Sequence, residues 1–199
     1  MKTTLKAALL SASVFGFAAM ASADTDGIIN GELLNENETI VENAVKVSNF
    51  STLVAAVEAA GLSDALMGEG PFTIFAPTDA AFAALPEGTV ENLLLPENRD
   101  QLATLLQSHV IPGAYTTGDM EVALLQDEVF AEDYELMKDD GLLKFDTLVQ
   151  TDLLIGKEGS NFYIETARGL DDNIQVINGD IAASNGVIHV IDQVILPAG

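Results

Sequence analysis

The apolar residues change period near Pro112-Gly113, and that change limits the folds open to this chain. Before it, Phe50, Leu53, Val54 and Val57 recur at i, i+3, i+4 and i+7, with Gly61 where such a helix would end. Asp79 to Leu85 predicts another helix. A third is predicted over about Asn98 to Val110, with Leu102, Leu105, Leu106 and His109 on one face and Pro112-Gly113 as its stop. After that point the pattern is that of strands. Leu148 to Ile155 leads through Gly159-Ser160-Asn161 to Phe162–Glu165; Ile174–Ile177 runs into Asn178-Gly179, and Ile181–Ser184 into Asn185-Gly186. Both Asn-Gly pairs predict two-residue hairpin turns, because each residue takes positive φ readily. Val187 to Leu196 is apolar on both faces and reads as a long, buried central strand. Helices followed by an antiparallel meander predict an α+β fold, and without internal repeats the chain reads as one domain.

The N-terminal segment reads as a leader. Lys2 and Lys6 precede an apolar run from Ala7 to Ala19, and Ala21-Ser22-Ala23 forms a small-x-small site before Asp24. That order predicts a signal peptide over residues 1–23, cleaved after Ala23, and a secreted or periplasmic product. Residues 24–38 read as a polar lead-in and residues 39–199 as the domain. Loss of Lys2 and Lys6 leaves 6 basic against 31 acidic residues, a net charge of −25. Such a balance excludes nucleic acid, which needs clustered Lys and Arg, and disfavours an anionic membrane surface. No later apolar run is long enough for membrane insertion. There is no cysteine, so the fold must be held by its core; a hydrophobic content of 48% supplies one.

The most acidic stretch is Asp119 to Asp146, with ten acids against Lys138 and Lys144 over 28 residues. Its apolar residues (Leu124, Leu125, Val129, Phe130, Leu136, Met137) suggest a small docked helix, so about 119–146 reads as an acidic insertion laid over the domain.

The residues for chemistry are few. Any Ser-His-acid triad must use His109 or His189, and there is no Gly-x-Ser-x-Gly elbow. Both histidines sit in apolar patterns that fit structural imidazoles bonded to backbone. Zinc-ligand spacing is absent. Asp127-Glu128, Glu132-Asp133, Asp139-Asp140 and Asp171-Asp172 offer oxygen ligands for calcium, but none fits an EF-hand loop, and a solvated acidic face is the preferred reading. With no Trp and three Tyr, sugar platforms for glycoside chemistry are scarce. No catalytic residue, metal or cofactor is expected.

One short stretch carries the most information. In Phe72-Thr73-Ile74-Phe75-Ala76-Pro77-Thr78-Asp79-Ala80-Ala81-Phe82, a strand runs into Pro77, which ends ladder pairing. Thr78 or Asp79 can then cap a helix, and Phe82 turns back to the core. This stretch, together with Leu105–Gly113 and Ala183-Ser184-Asn185-Gly186-Val187-Ile188-His189-Val190-Ile191-Asp192, resembles the signature segments of the fasciclin (FAS1, beta-Ig-H3) domain family. The match runs in family order over about residues 39–197. The resemblance implies a wedge-like β-sandwich of two sheets with helices packed alongside, and Phe72, Phe75, Pro77, Thr78, Asp79, Phe82, His109, Asn185, Gly186 and His189 as structural signature residues. It implies a non-catalytic adhesion or protein-interaction module, with a protein or glycan partner and a monomeric or weakly oligomeric state. The alternative is an envelope protein that binds a small ligand or polysaccharide. The Tyr-His pair with which animal relatives engage integrins is absent, because Ser108 precedes His109. Asp127, Glu128, Phe130, Glu132, Asp133 and Tyr134 in the acidic segment are the candidate partner-binding residues.

Overall fold

The computed structural model describes residues 28–29, 32–125, 135–137, 141–166 and 173–196. A two-stranded pair, β1 (Ile28–Ile29) with β2 (Glu32–Leu33), precedes the helices. Helix α1 (Ile40–Lys46) starts at a capping box: Thr39 accepts from the Glu42 N–H, and the Glu42 carboxylate accepts from the Thr39 N–H. Helix α2 (Ser51–Ala60) buries Leu53, Ala56, Val57 and Ala60, and Gly61 closes it in the left-handed conformation, φ 70°. Helices α3 (Ser63–Leu66), α4 (Asp79–Ala83) and α5 (Thr89–Leu93) are short. Helix α6 (Arg99–Gln107) buries Leu102, Leu105 and Leu106, and α7 (Thr117–Leu125) follows strand β4 (Val110–Pro112).

Eight strands form one hydrogen-bonded series. They are β3 (Phe72–Pro77), β4, β5 (Glu135–Met137), β6 (Leu142–Asp146), β7 (Asp152–Glu158), β8 (Asn161–Thr166), β9 (Ile174–Ala183) and β10 (Gly186–Ile191), in the order β4-β3-β10-β9-β8-β7-β6-β5. Strands β5 to β10 are the antiparallel meander; β3 pairs parallel to β10. The two sheets implied by the resemblance are not separate here, because β9 belongs to both halves. Its first residues pair with β8 and the remainder with β10.

Two cores flank β3 and β10. On the helical side Ile74, Ala76, Ile188 and Val190 pack against α1, α2 and α6. On the other side Phe75, Ile111 and Ile191 meet Leu143, Phe145, Leu153, Ile155 and Ile164. A strand covered on both faces loses the polar alternation of a half-exposed one, hence its continuous apolar run.

Several expectations need correction. Asn178-Gly179 is no hairpin: β9 runs through it, and the register against β10 slips twice, from Ile188↔Ile181 to Val190↔Asn178 to Ile191↔Val176. The positive φ that the pair invites falls instead on Asp180, at 60°, within a β-bulge. Gly179 is needed because a Cβ there would stand 2.9 Å from Thr117 and 3.1 Å from the His189 ring. The true hairpin joins Ala183 to Gly186 through Ser184 and Asn185, one residue earlier than the sequence pattern suggests. A Cβ on Gly186 would lie 1.9 Å from the Phe72 carbonyl oxygen, so glycine answers to a neighbouring strand as well as to a turn. Residues 148–150 form a turn, so β7 begins only at Asp152. The closing strand ends at Ile191, beyond which Val194 and Ile195 still enter the core.

The acidic stretch is not simply laid over the domain. Its first part is α7, which buries Met120 and Ala123 while leaving Leu125 77% exposed. Its last part is β6, whose Leu143 and Phe145 are fully buried in the second core. Charge counting hid a strand whose inward residues are as apolar as any in the sheet.

Candidate functional site

The strand-to-helix joint uses each of its polar side chains for a different helix. Thr78 is the N-cap of α4, its hydroxyl accepting from the Ala81 N–H at 3.3 Å. Asp79 reaches across to α2, whose N-cap residue Phe50 has no capping side chain. Its carboxylate accepts from the Ser51 hydroxyl at 2.6 Å and the Thr52 N–H at 2.8 Å. Partial burial alone would raise its carboxyl, but the bonds from Ser51 and Thr52 outweigh that and hold it below the usual aspartate range. Asp79→Ala is expected to cost about 1–2 kcal/mol and to lower the melting midpoint by about 2–8 °C, while Asp79→Asn recovers part of the loss. Thermal melts of the three proteins check this, and equal midpoints would exclude the cap. Phe75 and Phe82 are buried, each in a different core, Pro77 is buried, and Phe72 is half-buried at the start of β3.

The two histidines are both buried and hold opposite tautomers. His109 follows α6. Its Nε2 accepts from the Ile195 N–H at 2.9 Å, so the proton sits on Nδ1, which donates to the Leu105 carbonyl at 2.7 Å. His189, in β10, accepts at Nδ1 from the Asp180 N–H at 3.3 Å and donates from Nε2 to the Tyr115 carbonyl at 2.8 Å. Its ring stacks on Phe75, 5.5 Å between centroids. Burial pushes the His109 imidazolium down to about 4, against the bond to Leu105. Burial also lowers His189, although the Tyr115 carbonyl and the Asp180 carboxylate pull the other way. Each ring is neutral at pH 7, and all four nitrogens are held by backbone. Neither has a free nitrogen with which to take a proton from a substrate.

Asn185 and Gly186 lie at a meeting of elements. The Asn185 side chain accepts from the Ile40 N–H at 3.0 Å and donates to the carbonyls of Leu66 at 2.8 Å and Gly68 at 3.1 Å. Its own carbonyl accepts from the Phe72 N–H at 3.0 Å. The ten signature residues therefore surround the β3–β10 pair rather than lining one catalytic cavity. Asp127, Glu128, Phe130, Glu132, Asp133 and Tyr134 lie outside the described residues.

Among the described residues, no group of three or more His, Asp or Glu side chains converges to hold a metal ion. The described basic residues are all engaged. Lys46 pairs with Glu38, Lys157 with Glu121, and Lys144 with Asp152 at 3.2 Å, while Arg99 donates to the Ala60 carbonyl at 3.1 Å. No helix among the described residues is long and apolar enough to cross a membrane.

One concavity among the described residues was not anticipated from sequence. It is an apolar cleft of about 590 Å³, counting its mouth, between α1 and α2 and above β3 and the end of α6. The signal for its wall was present in Thr39-Ile40-Val41-Glu42, a capping box that announces α1.

Comparisons with known proteins bear on the fold and the family. The fasciclin domain family profile matches residues 48–197. Protein sll1483 of Synechocystis is 40% identical over 198 residues, covering 98% of this chain and 93% of that protein. Transforming growth factor-beta-induced protein ig-h3 of Sus scrofa is 31% identical over 150 residues, 75% of this chain but only 18% of that longer protein. Among solved structures, a FAS1 domain pair from the insect cell adhesion molecule fasciclin I superposes with a TM-score of 0.64, at 18% identity, over 80% of this chain and 51% of that one. Fold and sequence kinship agree: the chain belongs to the fasciclin domain family and has the FAS1 fold.

Proposed function

We propose that this chain is a non-catalytic adhesion or protein-interaction module, exported by a leader over residues 1–23 and acting in the envelope or outside the cell. The observation that carries the reading is that both buried histidines commit both ring nitrogens to backbone, which leaves a surface rather than a reaction centre. Kinship with a FAS1 pair from an adhesion molecule supports the same reading. Specificity is assigned to the acidic segment, with Asp127, Glu128, Phe130, Glu132, Asp133 and Tyr134 as the candidate partner-binding residues.

The test immobilises residues 24–199 and passes envelope extract over them, before and after protease treatment, alongside a glycan array. The expected result is saturable, protease-sensitive binding that weakens with salt, as a strongly acidic surface requires. It should be lost when residues 127–134 are replaced by a Gly-Ser linker. Binding only to glycans, or binding unchanged by the replacement, would overturn the reading.

A further inference from the structure

The cleft between α1 and α2 has no part in the adhesion reading, yet its chemistry is specific. Its walls and floor come from Leu53, Val57, Leu66, Ile74 and Leu106, all core residues of the helical side. At the mouth, Ala44 and Val54 are half-buried and Val45 is 61% exposed. Ala44 is the smallest side chain lining the mouth, so a larger residue at this position is expected to occupy part of the gap. We propose that this cleft binds an uncharged, hydrocarbon-rich small molecule.

Three observations select that chemistry. First, the interior offers no hydrogen bond. His109 is the sole polar residue lining the floor, and both its nitrogens are engaged with Leu105 and Ile195. A ligand carrying buried polar groups would leave them unpaired, at a steep desolvation cost. Second, the charge pattern rejects anions. The polar rim consists of Glu58 and Ser63, and the chain carries a net charge of −23. The nearest cation on α1, Lys46, is already paired with Glu38. A carboxylate or phosphate head at this mouth would meet like charge without a counter-ion. Third, an apolar cavity is poorly hydrated and so ready to exchange water for hydrocarbon. A protein partner would expect a ring of hydrogen-bonding groups around its anchor, whereas this lip is largely valine and alanine.

The experiment titrates residues 24–199 with N-phenyl-1-naphthylamine, an uncharged dye that brightens in apolar surroundings. Displacement then uses oleyl alcohol and oleate, which share a chain and differ in head charge. Saturable one-to-one dye binding is expected, with oleyl alcohol displacing it at least about tenfold more tightly than oleate at low salt. Ala44→Phe fills the mouth and is expected to weaken dye binding by about tenfold or more; Val54→Phe serves the same purpose should the first variant melt early. Adhesion to envelope extract should be unchanged in either variant, which separates this inference from the adhesion reading. Absence of saturable dye binding, equal displacement by alcohol and carboxylate, or unchanged affinity in a filled variant with a native melt would each overturn it. So would loss of envelope-protein capture on filling the mouth, which would make the cleft a protein contact.

Discussion

Asn185→Ala is expected to lower the melting midpoint by about 8–16 °C, corresponding to roughly 4 kcal/mol of stability. The side chain is 8% exposed and makes three hydrogen bonds to backbone from two other parts of the chain. Its oxygen holds the Ile40 N–H at the start of α1, where the Thr39 capping box leaves that donor unserved. Its amide serves two carbonyls at the end of α3, Leu66 and Gly68, which have passed beyond the helical ladder. Truncation leaves a donor and two acceptors short of a partner in the interior, at about 1–3 kcal/mol each before water and relaxation recover part. The bond from Phe72 to the Asn185 carbonyl survives the change, so the hairpin itself should persist. Asn185→Asp is the stricter variant. It keeps an acceptor for Ile40 but turns an oxygen toward the two carbonyls, and should destabilise at least as much at pH 7. Melting curves and denaturant titrations check both; a shift below about 3 °C in Asn185→Ala would refute the stapling role.

What was legible in the sequence and what was not divide along the same physical line. Helices α2 and α6 announced themselves because Leu53, Val57, Leu102 and Leu106 face a core at helical spacing, a local property. Thr78 was also legible, because a cap acts on its own helix. Asp79 was readable only as a cap of some helix; that it serves α2, 27 residues earlier, is decided by tertiary packing. Asn178-Gly179 misled because turn propensity is local, whereas its place in β9 is set by the requirement that Gly179 pass close to His189. Strand β6 was hidden by its charged setting: Lys144 and Asp146 face outward beside Leu143 and Phe145, and net charge does not distinguish faces. The histidine tautomers and the cleft depend on atoms brought together from four or more elements. No one-dimensional pattern records them.

Acid is expected to unfold this protein through its histidines before its carboxylates titrate. Unfolded, both rings take up protons near 6.5; folded, His109 refuses until about 4 and His189 is likewise depressed. Between those values the unfolded chain binds more protons, so stability is fully present above about pH 6.5 and is lost as the pH falls toward 4. At about 1.4 kcal/mol per unit, His109 alone withdraws roughly 3 kcal/mol over that interval, and His189 adds loss in the same direction. The geometry gives the same answer as the linkage. A proton on Nε2 of His109 would confront the Ile195 N–H, and one on Nδ1 of His189 would confront the Asp180 N–H. Carboxylate protonation complicates the picture only lower down, where it relieves the repulsion of the acidic surface while removing the Asp79 cap. The interval from pH 6.5 to 5 therefore isolates the imidazoles. Denaturant unfolding at half-unit steps should show stability falling across it by about 2 kcal/mol or more, against a Debye-screened background in 0.2 M salt. His109→Gln should be less stable than the parent at pH 7 but should lose less on acidification, because one titrating site is gone. A flat profile in the parent protein, or an equally steep one in the variant, would show that the buried rings do not control acid unfolding.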